Sequence, residues 1–298
     1  MNQIADNWKD YECIDAGNGE KLERWNDVIL RRPEPQAIWP SDDRLSVWKH
    51  PHAHYHRSRK GGGSWEFLKK TEDSWTIRYC DLTFKVSPTG FKHTGLFPEQ
   101  AANWDFMRNC IQQYPKSIRV LNLFAYTGGA TLACAAAGAQ EVVHVDASKG
   151  MVQWAKENMR LSHLEHKTIR FIVDDVQKFV AREKRRGRTY HAIIMDPPSY
   201  GRGPNGELWK IEEQLYPLVA SCMEILDPDP LFFLINSYTT GFPSSVLHNL
   251  LHETILKKHP HGAIEAGEIG LPITHTNTIL PCGIYGRWVK RMDQHHPS

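Results

Sequence analysis

Closely spaced cysteine pairs are missing from this 298-residue chain: Cys13, Cys80, Cys110, Cys134, Cys222 and Cys282 are scattered along it. That argues against a structural zinc site and against a disulfide framework, and it fits a reducing compartment, the cytoplasm. Long hydrophobic runs are missing too. No stretch approaches the roughly 20 apolar residues of a membrane span, and the opening MNQIADNWKDYE is polar and charged, so neither a signal peptide nor a transmembrane helix is expected. Net charge is nearly absent: 36 Lys and Arg against 34 Asp and Glu leave +2. Any contact with nucleic acid must then come from local patches rather than from a global positive field. What remains is an ordinary globular composition, 41% hydrophobic, enough to fill the core of one large domain with a smaller one beside it.

Texture changes near residue 95. Residues 1–95 are loop-rich and dense in Trp and Pro, with strand-like pieces at Trp75 to Tyr79 and Leu82 to Val86, which predicts a small β-rich domain suited to docking a substrate. Within it KHPHAHYHRSRK, from Lys49 to Lys60, runs into Gly61-Gly62-Gly63. It reads as a mobile surface loop, solvated or touching phosphate through Arg57, Arg59 and Lys60. Its four histidines resemble metal ligands, but no cysteine or carboxylate cluster accompanies them, so no metal is expected.

Residues 96–298 alternate strands with helices. Pro98 can open a helix to about residue 113; strands are expected near 118–124, 141–146, 169–173, 190–196 and 231–237, with helices near 129–137, 148–162, 175–187, 207–226 and 244–257. Pieces at 263–269 and 284–290 can supply late edge strands, and the basic run REKRRGR reads as a solvated helix end. This pattern predicts an α/β fold: a Rossmann-like, doubly wound, mostly parallel sheet whose ligands sit beyond the carboxyl ends of its strands.

Those strand ends carry the informative residues. The first strand, ending at Asn122-Leu123-Phe124, runs into Ala125-Tyr126-Thr127-Gly128-Gly129 and an alanine-rich helix. The second delivers Asp146, where a carboxylate can hold two ribose hydroxyls, and the third ends in Asp174-Asp175, able to accept from an exocyclic amine such as that of adenine. Taken singly, these acids would serve equally well as helix caps. A dinucleotide would need glycines spaced to admit a pyrophosphate. Here Gly128 and Gly129 stand without further glycines, Tyr126 fills a place usually small, and no basic residue waits for a diphosphate. S-adenosylmethionine, which has no phosphate, tolerates such a turn and is favoured over NAD. The fourth strand ends in Asp196-Pro197-Pro198-Ser199-Tyr200; two prolines end the pairing and hold the Asp196 carboxylate at the strand end, with Tyr200 as a face on which a planar base can stack.

At these residues the chain resembles the class I S-adenosylmethionine-dependent methyltransferases, and within them the group of bacterial 23S ribosomal RNA large-subunit cytosine methyltransferases. The likeness covers roughly residues 78–290 and rests on GFKHTGLFPEQ, LNLFAYTGG, VDAS, the Asp174-Asp175 pair, MDPPSYGRG and a terminal GRW. It implies that Phe97 and Gln100 flank the cofactor, that Asn122, Phe124, Tyr126 and Gly128 form its methionine-side wall, that Asp146 holds the ribose and Asp175 the adenine. Asp196 and Pro197 would border the transferred methyl and the target. The relatives attack carbon 5 with a cysteine after the fifth strand. Here that stretch is Ile235-Asn236-Ser237-Tyr238-Thr239, without cysteine, and residues 1–75 do not read as the relatives' usual RNA-binding domain.

The expectation is therefore a methyltransferase acting on RNA, ribosomal RNA first, without a covalent cysteine step. Asp196, Pro197, Tyr200 and Asn236 would line the target. In-line alignment matters more here than strong acid or base, so no metal is required. The alternatives are a small-molecule or protein methyltransferase and a non-catalytic cofactor- or RNA-binding protein. The chain is expected to work away from membranes, as a monomer or homodimer.

Overall fold

The computed structural model describes residues 2–58, 62–203 and 205–291. Eight short strands come first: β1 (Gln3–Ile4), β2 (Tyr11–Gly17), β3 (Glu20–Trp25), β4 (Val28–Pro33), β5 (Ala53–Arg57), β6 (Gly63–Phe67), β7 (Trp75–Tyr79) and β8 (Leu82–Val86). A 3-10 turn at Pro98–Gln100 leads into α1 (Ala101–Gln113). Then follow β9 (Arg119–Leu123), α2 (Gly129–Ala136), β10 (Glu141–Asp146), α3 (Lys149–Leu161), β11 (Ile169–Val173), α4 (Val176–Arg185) and β12 (Ala192–Met195). The chain closes with the strands β13 (Tyr200–Arg202) and β14 (Leu208–Lys210), α5 (Ile211–Cys222), β15 (Phe232–Ser237), α6 (Ser244–Leu251), β16 (Gly262–Ile273) and β17 (Thr278–Lys290).

The main sheet runs β11-β10-β9-β12-β15-β17-β16-β2-β3-β4-β5-β6. Pairing from β11 through β15 is parallel, and β17 is antiparallel to both neighbours. This is the expected doubly wound α/β sheet. Its parallel strands are near-continuous apolar runs because both faces are covered. Along β9 and β12, Val120, Ala192 and Ile194 face a core shared with α1 and α2. Leu121, Leu123, Ile193 and Met195 face the opposite core, built with α4, α5 and α6. Ser148 and Asp175 cap α3 and α4 by accepting from the N–H groups of Met151 and Lys178.

Several expectations change. The pieces at 263–269 and 284–290 are not edge strands: they extend to β16 and β17 and lie inside the sheet, between β15 and the N-terminal strands. The first 95 residues are richer in strand than their short apolar runs suggest, and the sheet continues across residue 95 because β1 and β2 pair with β16. The basic segment at 49–60 is not simply a loop. Ala53–Arg57 form a strand paired with Gly63–Phe67, since alternate Ala53 and Tyr55 are buried; Arg59 and Lys60 lie outside the described residues. The helix expected at 207 begins at Ile211, and Leu208–Lys210 pair instead with Tyr200–Arg202. The basic run at the end of α4 is partly paired rather than merely solvated: Arg182 meets Asp174, and Arg188 meets Glu141 and Glu183.

The N-terminal strands also brace the site. Glu23 accepts from Arg32 Nε at 2.6 Å, from Arg32 Nη2 at 2.7 Å and from the Tyr11 hydroxyl at 2.7 Å, while Arg32 Nη1 donates to the Lys92 carbonyl at 2.8 Å. A buried charge is tolerated when paired and hydrogen-bonded in this way. The contact fixes the backbone next to His93. The β7–β8 hairpin leans on α3, where Ser162 and Asn158 accept from the N–H groups of Thr83 and Lys85. Among the described residues no helix is long and apolar enough to cross a membrane.

Candidate active site

Beyond the carboxyl ends of β9, β10 and β12 lies a cavity of about 450 Å³, within the range of about 300–1,000 Å³ usual for small-molecule sites. A smaller one of about 50 Å³ adjoins it at the first turn of α2; Phe97, Phe124, Tyr126 and Asp196 line both.

The turn between β9 and α2 is tightly wound. Phe124, Tyr126 and Gly128 have φ of 53°, 52° and 90°, three alternate residues in left-handed backbone, where side chains other than glycine are strained. Gly128 meets that demand without strain. At Gly129 a Cβ would come within 2.5 Å of the Trp104 ring, so the helix can start here only as glycine. Asp146 ties the turn to the next strand: its Oδ2 accepts from Tyr126 N–H at 2.9 Å and its Oδ1 from Ser148 N–H at 2.8 Å. Burial nevertheless raises its pKa, and each oxygen keeps a lone pair for a ligand hydroxyl.

Aromatic rings close the space. Phe97 lies 5.4 Å from Tyr126 and 5.4 Å from Tyr238, centroid to centroid. The Tyr238 hydroxyl accepts from Gln100 Nε2 at 2.7 Å. The His93 ring packs at a tilt against Phe97 and, with its pKa pushed down to about 4 by burial and by Arg32, is neutral at physiological pH. On the far side Trp209 donates through Nε1 to the Pro198 carbonyl at 2.6 Å and packs edge-on against Phe124.

Asp196 is half-buried between the two cavities. Burial, and then the carboxyl of Glu99, push its pKa up to about 7. Glu99 is itself buried, with a raised pKa, and contacts Tyr238. Two carboxyl groups in one apolar site oppose joint ionisation.

Of the residues singled out from the sequence, Phe97, Phe124, Tyr126, Asp146, Asp175, Asp196 and Pro197 line the larger cavity, and Gln100, Asn122, Gly128 and Asn236 the smaller. Asn236 accepts from Asn103 Nδ2 at 2.8 Å, and Asn122 donates to Thr131 at 3.0 Å. Asp174 lines neither: its carboxylate pairs with Arg182 and accepts from Asp175 N–H. Tyr200 also lines neither and stands exposed on β13, while Gly201 and Arg202 of the same strand line the larger cavity. His93, Glu99, Trp209 and Tyr238 were not picked out. Trp209 was obscured by reading 207–226 as one helix; the GFKHTGLFPEQ segment carried His93 and Glu99 without marking them.

A doubly wound sheet of this order, with a cavity beyond the carboxyl ends of its parallel strands, is the class I methyltransferase fold. The family model for S-adenosylmethionine-dependent methyltransferases matches residues 39–228, and the chain belongs to that family. A crystal structure of an S-adenosylmethionine-dependent methyltransferase from Agrobacterium tumefaciens superposes with a TM-score of 0.91 at 36% identity, over 98% of this chain and 94% of the other. SMU.776, a methyltransferase solved with S-adenosylhomocysteine, shares the fold at a TM-score of 0.69 and 18% identity, over 95% of this chain and 76% of that one. Among curated relatives, ribosomal RNA large subunit methyltransferase K/L of Shewanella baltica is 28% identical over 69% of this chain, and that of Shewanella sp. is 32% identical over 69%. The chain spans 27% and 28% of the length of these two relatives.

The pocket suits the family's cofactor, S-adenosylmethionine. Asp146 and Asp175 bring carboxylate acceptors to its lining. The small cavity meets the first turn of α2, whose free N–H groups attract a carboxylate.

Proposed function

We propose that the protein methylates a nitrogen of RNA, ribosomal RNA first, in the cytoplasm and without a covalent cysteine intermediate. The observation that carries this reading is the Asp196 carboxylate, half-buried where the two cavities meet, with a pKa near neutrality. When bound, the cofactor supplies an electrophilic methyl on a sulfonium, so alignment is the larger part of catalysis. Asp196 and the Pro197 carbonyl accept hydrogen bonds from an N–H nucleophile and point its lone pair at the methyl carbon. As the new N–C bond forms, the methyl–sulfur bond breaks and its electron pair stays on sulfur, which leaves as a neutral thioether; the nitrogen becomes positive, and its proton passes to Asp196, which is basic enough to receive it at neutral pH. Glu99 keeps that basicity high by opposing the ionised form of Asp196. Asn236 supports the target from the next strand end, and the aromatic rings of Phe97, Tyr238 and Trp209 exclude water.

The two candidate thiols nearest the Ile235 to Thr239 stretch speak against the alternative route. Burial pushes Cys222 and Cys282 above their ordinary pKa, which suppresses the thiolate that attack on a pyrimidine ring requires. An RNA substrate is supported by the ribosomal RNA methyltransferases among the relatives and by Arg202, which brings positive charge to the cavity. A target base would enter unstacked, at a cost of a few kcal/mol unless already single-stranded. The test is incubation of the purified protein and methyl-labelled S-adenosylmethionine with total RNA, DNA and protein extract. Label in RNA, recovered as an N-methylated nucleoside, is expected; label confined to protein or to small molecules overturns the RNA reading.

A further inference from the structure

The paired strands β5 and β6 gather three side chains that sequence distance conceals. His54 and His56 stand two residues apart on one face of β5, and Glu66 sits directly opposite His54 across the pair. One ligand atom from each residue lies within 4.8 Å of the others. The two imidazoles are 3.9 Å apart between ring centres, and His56 Nε2 is 2.7 Å from Glu66 Oε2. The carboxylate that the primary sequence failed to place beside these histidines is thus supplied by the neighbouring strand.

A second carboxylate completes the arrangement. His54 Nε2 lies 2.6 Å from Glu20 Oε1 on β3, and Glu20 Oε2 accepts from Arg31 Nε at 2.8 Å. A histidine held by a carboxylate at one ring nitrogen has its plane fixed and its other nitrogen free, the outer-shell arrangement that orients metal-binding histidines. Strand backbone holds all three candidate ligands, so little ordering remains when a cation binds.

We propose that His54, His56 and Glu66 bind a borderline divalent cation of the Zn²⁺ type, with Glu20 orienting His54. Two imidazole nitrogens and one carboxylate oxygen match the ligand chemistry of zinc, leaving a fourth position for water. A hard cation such as Mg²⁺ or Ca²⁺ would select an all-oxygen set instead. The cation takes the place of the direct contact between His56 and Glu66. It fastens β6, the last strand of the sheet, to β5, and through Glu20 to β3. The site lies at the opposite end of the strand order from β9–β12, so its role is structural.

The test is titration of the full-length protein with Zn²⁺ against a chromophoric chelator, and with Co²⁺ followed by its visible absorption. Both are done in a background carrying His295→Asn and His296→Asn, which removes the competing histidine pair near the C-terminus. One equivalent should bind, with the intense visible band of four-coordinate Co²⁺, and Zn²⁺ should raise the melting temperature. His54→Ala, His56→Ala and Glu66→Gln should each weaken binding at least about tenfold, and Glu20→Gln by about 10–100-fold. Circular dichroism checks that each variant folds; His56 and Glu66 are exposed, so replacing them leaves the core intact. Absence of one-equivalent binding, or equal affinity in a folded His56→Ala, Glu66→Gln double variant, overturns the proposal.

Discussion

The cofactor side and the target side of the cavity are assembled differently. Asn122, Phe124, Tyr126, Gly128, Asp146 and Asp175 come from one continuous β-α-β-α-β stretch, and each stands at a strand end, a helix cap or a left-handed turn. Across the cavity, Asp196 and Pro197 meet His93, Glu99, Trp209 and Tyr238, drawn from three further segments. Local geometry builds the first wall; tertiary packing builds the second. On the proposed function, the first wall serves the family's cofactor and the second sets substrate choice.

The largest effect should come from the cofactor wall. Asp146→Ala removes both the acceptors for a ligand and the tie to Tyr126 and Ser148. Hydrogen bonds to a charged group are worth about 1.5–3 kcal/mol, so calorimetric affinity for S-adenosylmethionine should fall about 10–100-fold. A change below threefold, roughly 0.6 kcal/mol, would erase the distinction between the walls.

The target wall should reveal itself through pH. With Asp196 near 7 in the free enzyme, kcat/KM should fall about tenfold per pH unit below that value. A positive sulfonium close to Asp196 lowers its pKa, which moves the corresponding limb of kcat to lower pH. Stability carries the opposite sign. The folded pKa lies above the ordinary value of 3.8, so the folded state binds more protons, and stability falls as pH rises from about 4 to about 7. Asp196→Asn should flatten that slope in thermal melts by the share that Asp196 contributes.

A smaller effect is expected where the target wall leans on packing. Trp209→Phe keeps the ring beside Phe124 but loses the hydrogen bond to Pro198. At about 1 kcal/mol for one such bond, kcat should drop several-fold while cofactor affinity holds. Smallest of all is Asp174→Asn: its carboxylate meets Arg182 and lines neither cavity. The pair is only partly exposed, but it stands apart from both cavities, and cofactor affinity should change less than twofold.

The same contrast explains what could be read from the sequence. The parallel strands announce themselves as buried apolar runs, and β7 and β8 match their expected bounds. Asp146 and Asp175 were accessible because strand ends and caps follow from spacing. Asp174 was grouped with Asp175, although adjacent residues at a helix start point in different directions, and Arg182 one helix face away claims the first. The exposure of Tyr200 is not legible in the sequence, because the pairing of β13 with β14 has no apolar signature in so short a hairpin. Glu99 and Tyr238 were missed for a different reason. A carboxyl becomes informative only when the fold buries it beside another, and nothing local to Pro98-Glu99-Gln100 encodes Asp196. Glycines and Pro272 hid the length of β16, whose partner β17 supplies the pairing that local propensity does not.

Asp196→Asn tests the division of the cavity most directly, with S-adenosylmethionine affinity and methyl transfer to RNA measured on the same preparation. Asparagine keeps the size and loses the base. Cofactor affinity should stay within about threefold, roughly 0.6 kcal/mol, while transfer falls by about 10²-fold or more, the usual contribution of a positioned base. Parallel loss of both, or transfer that persists at neutral pH, would contradict it.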